Sequence, residues 1–103
     1  MPLHHIEKTT AEAYTFAIDY AGRLPSGASV SSGTVAAVDQ DGNDESGGGT
    51  PVIASTTATI SGTEARVKVQ NGTNGERYKL TFTTTLSTSD VLVDTVWMRV
   101  VDK

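Results

Sequence analysis

No cysteine occurs in these 103 residues. That excludes disulfides, cysteine-ligated zinc and thiol nucleophiles, and a domain of this length can bury enough apolar surface to fold without such staples. No apolar run approaches the roughly 20 residues that span a bilayer as a helix, so no membrane association is expected. Basic residues are few and scattered, eight Lys and Arg against twelve Asp and Glu, for a net charge of -4. Binding to a phosphate backbone needs a basic stripe, so no nucleic-acid partner is expected. The only two histidines, His4 and His5, are adjacent; as metal ligands they would need partners that no other histidine supplies. The opening Met-Pro-Leu-His-His-Ile-Glu-Lys has no charged segment followed by an apolar one, so no secretion signal is expected in this stretch.

Catalytic patterns are missing too. Ser, His and Asp are present, but no Gly-x-Ser-x-Gly elbow links them. Gly47-Gly48-Gly49 is followed by Thr50-Pro51 and lacks the lysine of a phosphate loop. Asp39-Gln40-Asp41-Gly42-Asn43-Asp44-Glu45 has the composition of a calcium loop, but its glycine falls at the fourth position rather than the sixth. Thr50 stands at the twelfth, where a bidentate Glu belongs. A solvated acidic loop is the expected reading, with no cofactor, no metal and no enzyme activity. Asp19, Asp90 and Asp94 are expected at strand edges or turns, facing water. Asn71-Gly72-Thr73 is formally a glycosylation sequon and is read as a tight turn.

Thr, Ser, Val, Ala and Gly dominate what is present. Thr and Val are β-branched and suit a pleated surface. In the closing stretch Tyr78, Leu80 and Phe82 alternate with Lys79, Thr81 and Thr83. Val96, Met98 and Val100 alternate with Thr95, Trp97 and Arg99. Two period-two runs joined by Ser87-Thr88-Ser89-Asp90 predict an antiparallel hairpin. A hairpin alone is not stable in water, so the rest of the chain must supply an opposing sheet.

The earlier segments read the same way. Tyr14, Phe16, Ile18 and Tyr20 form one face of a strand that ends in the turn-rich Gly22–Gly27. Ala28 to Val38 is a second strand whose phase switches near Gly33, which predicts a bulge there. Asp39 to Pro51 is an acidic, Gly-rich loop, expected to be mobile. Val52 to Ile60 is expected as a short edge strand, and Val67 and Val69 mark a half-buried one. The fold class is therefore all-β: an Ig-like antiparallel sandwich of six to seven strands spanning residues 13–103, preceded by an arm at 1–12. The Tyr14/Phe16/Ile18 face should oppose the Tyr78 and Val96 ladders, with Val67, Val69, Val30 and Val35 filling the other sheet.

Two residue-level expectations follow. Tyr78, in Gly75-Glu76-Arg77-Tyr78-Lys79-Leu80, fits a tyrosine corner, in which the hydroxyl bonds upstream backbone. Trp97 has the parity opposite to Val96 and Met98 and should face outward. It is either an interface hot spot favouring oligomerisation or is covered by a terminal arm or loop. His4, His5 and Ile6 of the arm and Trp97 are the candidate interface residues.

Two segments resemble a known family. Tyr14-Thr15-Phe16-Ala17-Ile18-Asp19-Tyr20-Ala21-Gly22-Arg23-Leu24, followed by Val30-Ser31-Ser32-Gly33-Thr34-Val35, is similar to the opening strands of small tailed-phage structural proteins of the fiber-tail adaptor type. Gly75-Glu76-Arg77-Tyr78-Lys79-Leu80-Thr81 through Met98-Arg99-Val100-Val101-Asp102-Lys103 resembles their closing hairpin. Tyr20 stands where that family usually has Trp, and the middle section is longer here. The resemblance implies a virion structural component made in the bacterial cytoplasm and assembled into the phage particle. Such a protein joins tail, neck or capsid to a fiber, in the manner of a head-tail connector, as a homo-oligomer in contact with other phage structural proteins. An Ig-like adhesion or carbohydrate-binding module, or a capsid decoration protein, is the alternative.

Overall fold

The computed structural model describes residues 3–45 and 51–102. Seven strands follow one another: β1 (Leu3–Lys8), β2 (Tyr14–Asp19), β3 (Val30–Asp39), β4 (Thr59–Ser61), β5 (Glu64–Val69), β6 (Arg77–Leu86) and β7 (Val91–Val100). They form a four-stranded sheet in the order β1-β7-β6-β3 and a three-stranded sheet in the order β2-β5-β4. With β1 set apart, the β2-β5-β4 and β3-β6-β7 groupings place the second to seventh strands as an Ig sandwich does. The expected hairpin of β6 and β7 forms an antiparallel ladder of nine residue pairs, as many as β3 makes with β6. It runs from Arg77↔Arg99 to Thr85↔Val91. Its turn is closed by the Leu86 N–H donating to Asp90 O at 2.8 Å, with Ser89 in the left-handed region at φ 70°.

The core lies between the sheets. Leu80, Phe82, Val96, Met98 and Val100 are fully buried from one side, and Ile18, Ala65, Val67 and Val69 meet them from the other. Each large apolar side chain buried in this way contributes roughly 1.5–3 kcal/mol. β2 faces the β6–β7 ladders as expected, and Val67 and Val69 lie in its own sheet. Val30 and Val35 do not: β3 pairs with β6, so they extend the sheet of the closing hairpin. The bulge is also displaced. The register shifts between Val30 and Ser32, ahead of Gly33. Gly33 sits in regular strand with Ala58 across from it, where an added Cβ would lie 3.3 Å from the Ala58 Cβ. The switch of phase was legible, but two patterned residues on each side of it left its position open by two residues.

The Val52–Ile60 segment forms a regular strand only at its end, as the three residues of β4. Before that, Val52–Ala54 run beside the end of β5, with a bridge between Ile53 and Val69, and Thr56–Ala58 run along the outer edge of β3. The Val35 N–H donates to Thr56 O and the Ala58 N–H to Gly33 O. Asp39 to Asn43 makes a tight turn, with the Asp39 N–H donating to Asn43 O and Gly42 at φ 88°. The strand continues back as far as a bridge between Val38 and Asp44. Residues 46–50 of the loop expected to be mobile lie outside the described residues.

The arm expected at residues 1–12 is, over Leu3–Lys8, a strand of the domain. It pairs in parallel with β7, from Leu3↔Thr95 to Lys8↔Val100. Its end is clamped: the Val101 N–H donates to Lys8 O, and the Thr10 N–H and hydroxyl both reach Asp102 Oδ1 at 2.9 Å. A parallel pairing between the two ends of a chain has no local signal, because nothing in six residues specifies a partner 92 positions away.

Candidate functional site

The register of β1 on β7 decides which arm residues meet Trp97. His4 pairs with Val96, His5 with Trp97 and Ile6 with Met98. Side chains alternate across a strand, so His4 and Ile6 point into the sandwich while His5 shares the outer face with Trp97. His4 packs edge-on against Phe16, with ring centroids 6.1 Å apart, and its Nε2 is buried without a partner. Ile6 packs against the core. Trp97 faces outward, as its parity requires, and is half-buried beside the N-terminal strand.

Around Trp97 the outer face of the sheet is hollowed into a groove of about 450 Å3, lined by His5, Ile6, Glu7, Arg77, Trp97, Met98 and Arg99. Arg77 and Arg99 are direct cross-strand partners, and Lys79 is the cross-strand partner of Trp97. Glu7 approaches Arg99 at 3.9 Å with both side chains more than half exposed, a geometry worth little in water. The sequence offers His5 and Trp97 as candidate interface residues; Arg77, Arg99 and Glu7, which share their groove, are not among the candidates. The parities of Arg77 and Arg99 were readable; their meeting with Glu7 depends on the β1 register.

At one end of the sheets the E–F corner, between β5 and β6, is built as a tyrosine corner. Tyr78 Oη accepts the Thr73 N–H at 2.9 Å. Asn71 and Gly72 both have positive φ, 52° and 100°. A Cβ on Gly72 would come within 2.7 Å of Val100 Cγ2. The buried Lys8 ammonium donates to the carbonyls of Thr9, at 2.6 Å, and Asn71. Burial lowers the Lys8 pKa, while Glu12 and Asp102 partly oppose this.

Asp94 is the clearest correction among the acids. It is fully buried in β7, and Arg23 Nη1 reaches its Oδ2 at 2.9 Å. Its even numbering, shared with Val96 and Met98, sends it inward, and the 3-10 turn Ala21–Arg23 brings the guanidinium to it. Arg23 also lies over the Tyr20 ring, 4.9 Å from its centroid. The Tyr20 hydroxyl lies 2.8 Å from Thr84 Oγ1. Burial pushes the Tyr20 pKa up to about 12, with the Thr84 hydrogen bond opposing and the Asp94 carboxylate adding. Asp19 and Asp90 do face water. This cluster ties the end of β2 to β7 across the core and contributes no residue to the Trp97 groove. Among the described residues no three His, Asp or Glu side chains are grouped to hold a metal, and no helix is long and apolar enough to cross a membrane.

The fold defines the class: a small seven-stranded β-sandwich with Ig-type strand order, whose N-terminal strand completes the larger sheet beside a cation-lined aromatic groove. Within that class the chain belongs to the family of the podophage GP4 fiber-tail adaptor protein gp77, whose profile matches residues 8–99. It is thereby placed among phage structural proteins. The match begins at the last residue of β1, so Trp97, Arg77 and Arg99 lie inside it while His4, His5 and Ile6 lie outside. None of the curated proteins matches the chain.

Proposed function

We propose that this chain is a non-enzymatic structural component of the phage particle, an adaptor that joins tail, neck or capsid to a fiber through protein–protein contacts and acts as a homo-oligomer. It is made in the bacterial cytoplasm and resides in the virion. The observation that carries this reading is the family match over residues 8–99. Two features of the surface support it. The edge of β1 away from β7 has no strand beside it among the described residues, and open edges accept added strands. The single Trp of the chain lines a groove on the outer face of that same sheet, and tryptophan is enriched where binding energy concentrates.

The adhesion or carbohydrate-binding alternative wants a platform of exposed aromatics. Tyr20, Tyr78 and Phe82 are buried, and Tyr14 and Phe16 pack against the core, which leaves Trp97 alone. The test is incorporation: particles assembled with a chain carrying Trp97→Ala are expected to contain less of it than particles assembled with the native chain. Equal incorporation, with the variant folded, removes the groove from the adaptor's contacts.

A further inference from the structure

The four-stranded sheet is continuous from edge to edge, and its residue rows can be read across all four strands. One row runs Asp39–Tyr78–Met98–Ile6, and the next Val38–Lys79–Trp97–His5. The acidic turn that follows Asp39 therefore stands at the same height as the Trp97 groove, which spans β6, β7 and β1, with Trp97 two strand spacings or roughly 10 Å from β3. Resting on the homo-oligomer reading above, we propose that the groove receives the acidic turn Asp39–Glu45 of a second copy of this chain, joining copies head to tail.

The groove carries an excess of positive charge that Glu7, 3.9 Å from Arg99, offsets only in part. Like charges directly opposite on paired strands are destabilising, yet Arg77 faces Arg99. Arg77 and Lys79 make no ion pair among the described residues. Three of the eight basic residues of an acidic chain thus gather around its one Trp, and an anionic occupant relieves their repulsion. The turn has the complementary composition: Asp39, Asp41, Asp44 and Glu45 without a Lys or Arg. It is also prefolded. Asp39 Oδ1 accepts the N–H groups of Asp41 and Asn43, each at 2.9 Å, so little ordering remains to be done on binding. A contact between two different patches is heterologous, and placing both at one height lets a rotation about an axis along the strands close a ring.

The test is the mass of the full chain in solution by light scattering over a concentration series. Four forms are compared: native, Arg77→Glu with Arg99→Glu, Asp41→Lys with Glu45→Lys, and all four substitutions together. The native chain is expected to associate, less at high salt. Each double variant is expected to shift the association midpoint upward by about tenfold or more, and the fourfold variant to recover it. Circular dichroism checks folding, which these exposed or half-exposed positions should leave intact. A native chain that stays monomeric throughout, double variants that associate like the native chain, or a folded fourfold variant that fails to recover would each overturn the proposal. A chain that enters particles but associates regardless of these charges overturns this contact and leaves the adaptor reading standing.

Discussion

Tyr78 holds the corner between β5 and β6 through its hydroxyl. Its position at the start of a run with alternating Leu80 and Phe82 was enough to predict a corner, and its hydroxyl accepts the Thr73 N–H. Tyr78→Phe should lower stability by about 1 kcal/mol, the net worth of one such hydrogen bond, with more if the N–H is left dry. Urea denaturation measures it, and an unchanged midpoint would remove the corner from the account. Gly72→Ala should be worse, since it combines a φ of 100° with a clash against Val100. The buried pair gives an ordering rather than a single value. Arg23→Ala leaves the Asp94 carboxylate, with no exposed surface, unpaired, whereas Asp94→Leu leaves an Arg23 side chain that is 29% exposed and able to turn to water. Arg23→Ala should therefore cost about 3 kcal/mol or more and exceed Asp94→Leu in the same denaturation assay; the reverse order would contradict the burial of Asp94.

Tyr20 supplies a pH signature. Its folded pKa of about 12 lies above the ordinary 10, so the folded state holds the proton more tightly than the unfolded one. The resulting stability is fully present below pH 10 and falls away as pH rises toward 12, a loss of roughly 3 kcal/mol. Lys8, lowered from 10.5 by burial, acts with the opposite sign in the window just below 10.5, so the fall is best read above that pH. Thermal melts between pH 10.5 and 12 should show a slope that Tyr20→Phe reduces. Tyr20 is legible as a core aromatic; its hydroxyl partner Thr84 and the buried Asp94 are not, because a polar residue within an apolar ladder carries no local sign that a partner waits for it inside.

At the scale of elements, the strands with clean alternation were readable to within a residue or two: β2, β5, β6 and β7. What remained hidden was partnership. Nothing local tells β3 to pair with β6 rather than lie in the opposing sheet, and nothing in His4-His5-Ile6-Glu7-Lys8 announces β1. Its alternation of apolar and polar residues is broken by His4 and Lys8, which point inward and are accommodated by Phe16 and by backbone carbonyls. β1 is thus held by contacts made with the far end of the chain. Deleting residues 1–8 should cost about 2 kcal/mol or more, from the Ile6 side chain and the lost ladder on β7. Hydrogen exchange should then show β7 amides losing protection; a truncated chain as stable as the native one would show β1 to be ornamental.

For the molecule as a whole, composition and pattern delivered the sandwich, while function came through family likeness rather than residue chemistry. The reason is physical: a contact surface is assembled from outward-facing residues of several strands, and the proposed one, the groove, needs β1, β6 and β7 together. Its Trp was visible as a parity anomaly, its arginine pair only once the register was known. The carboxylates of Asp19, Asp39 and Asp102 are held below the usual range, chiefly by the hydrogen bonds they accept from Thr63, Asn43 and Thr10 respectively. Their contributions are present above the unfolded pKa near 3.8 and are lost as pH falls through the lower folded values. The central claim, that the chain is a structural part of the virion, is tested most directly by quantitative mass spectrometry of purified phage particles. The account predicts the chain in the particles at a fixed ratio to the other structural proteins. Its absence from intact particles, with the protein present in the infected-cell lysate, would contradict the claim.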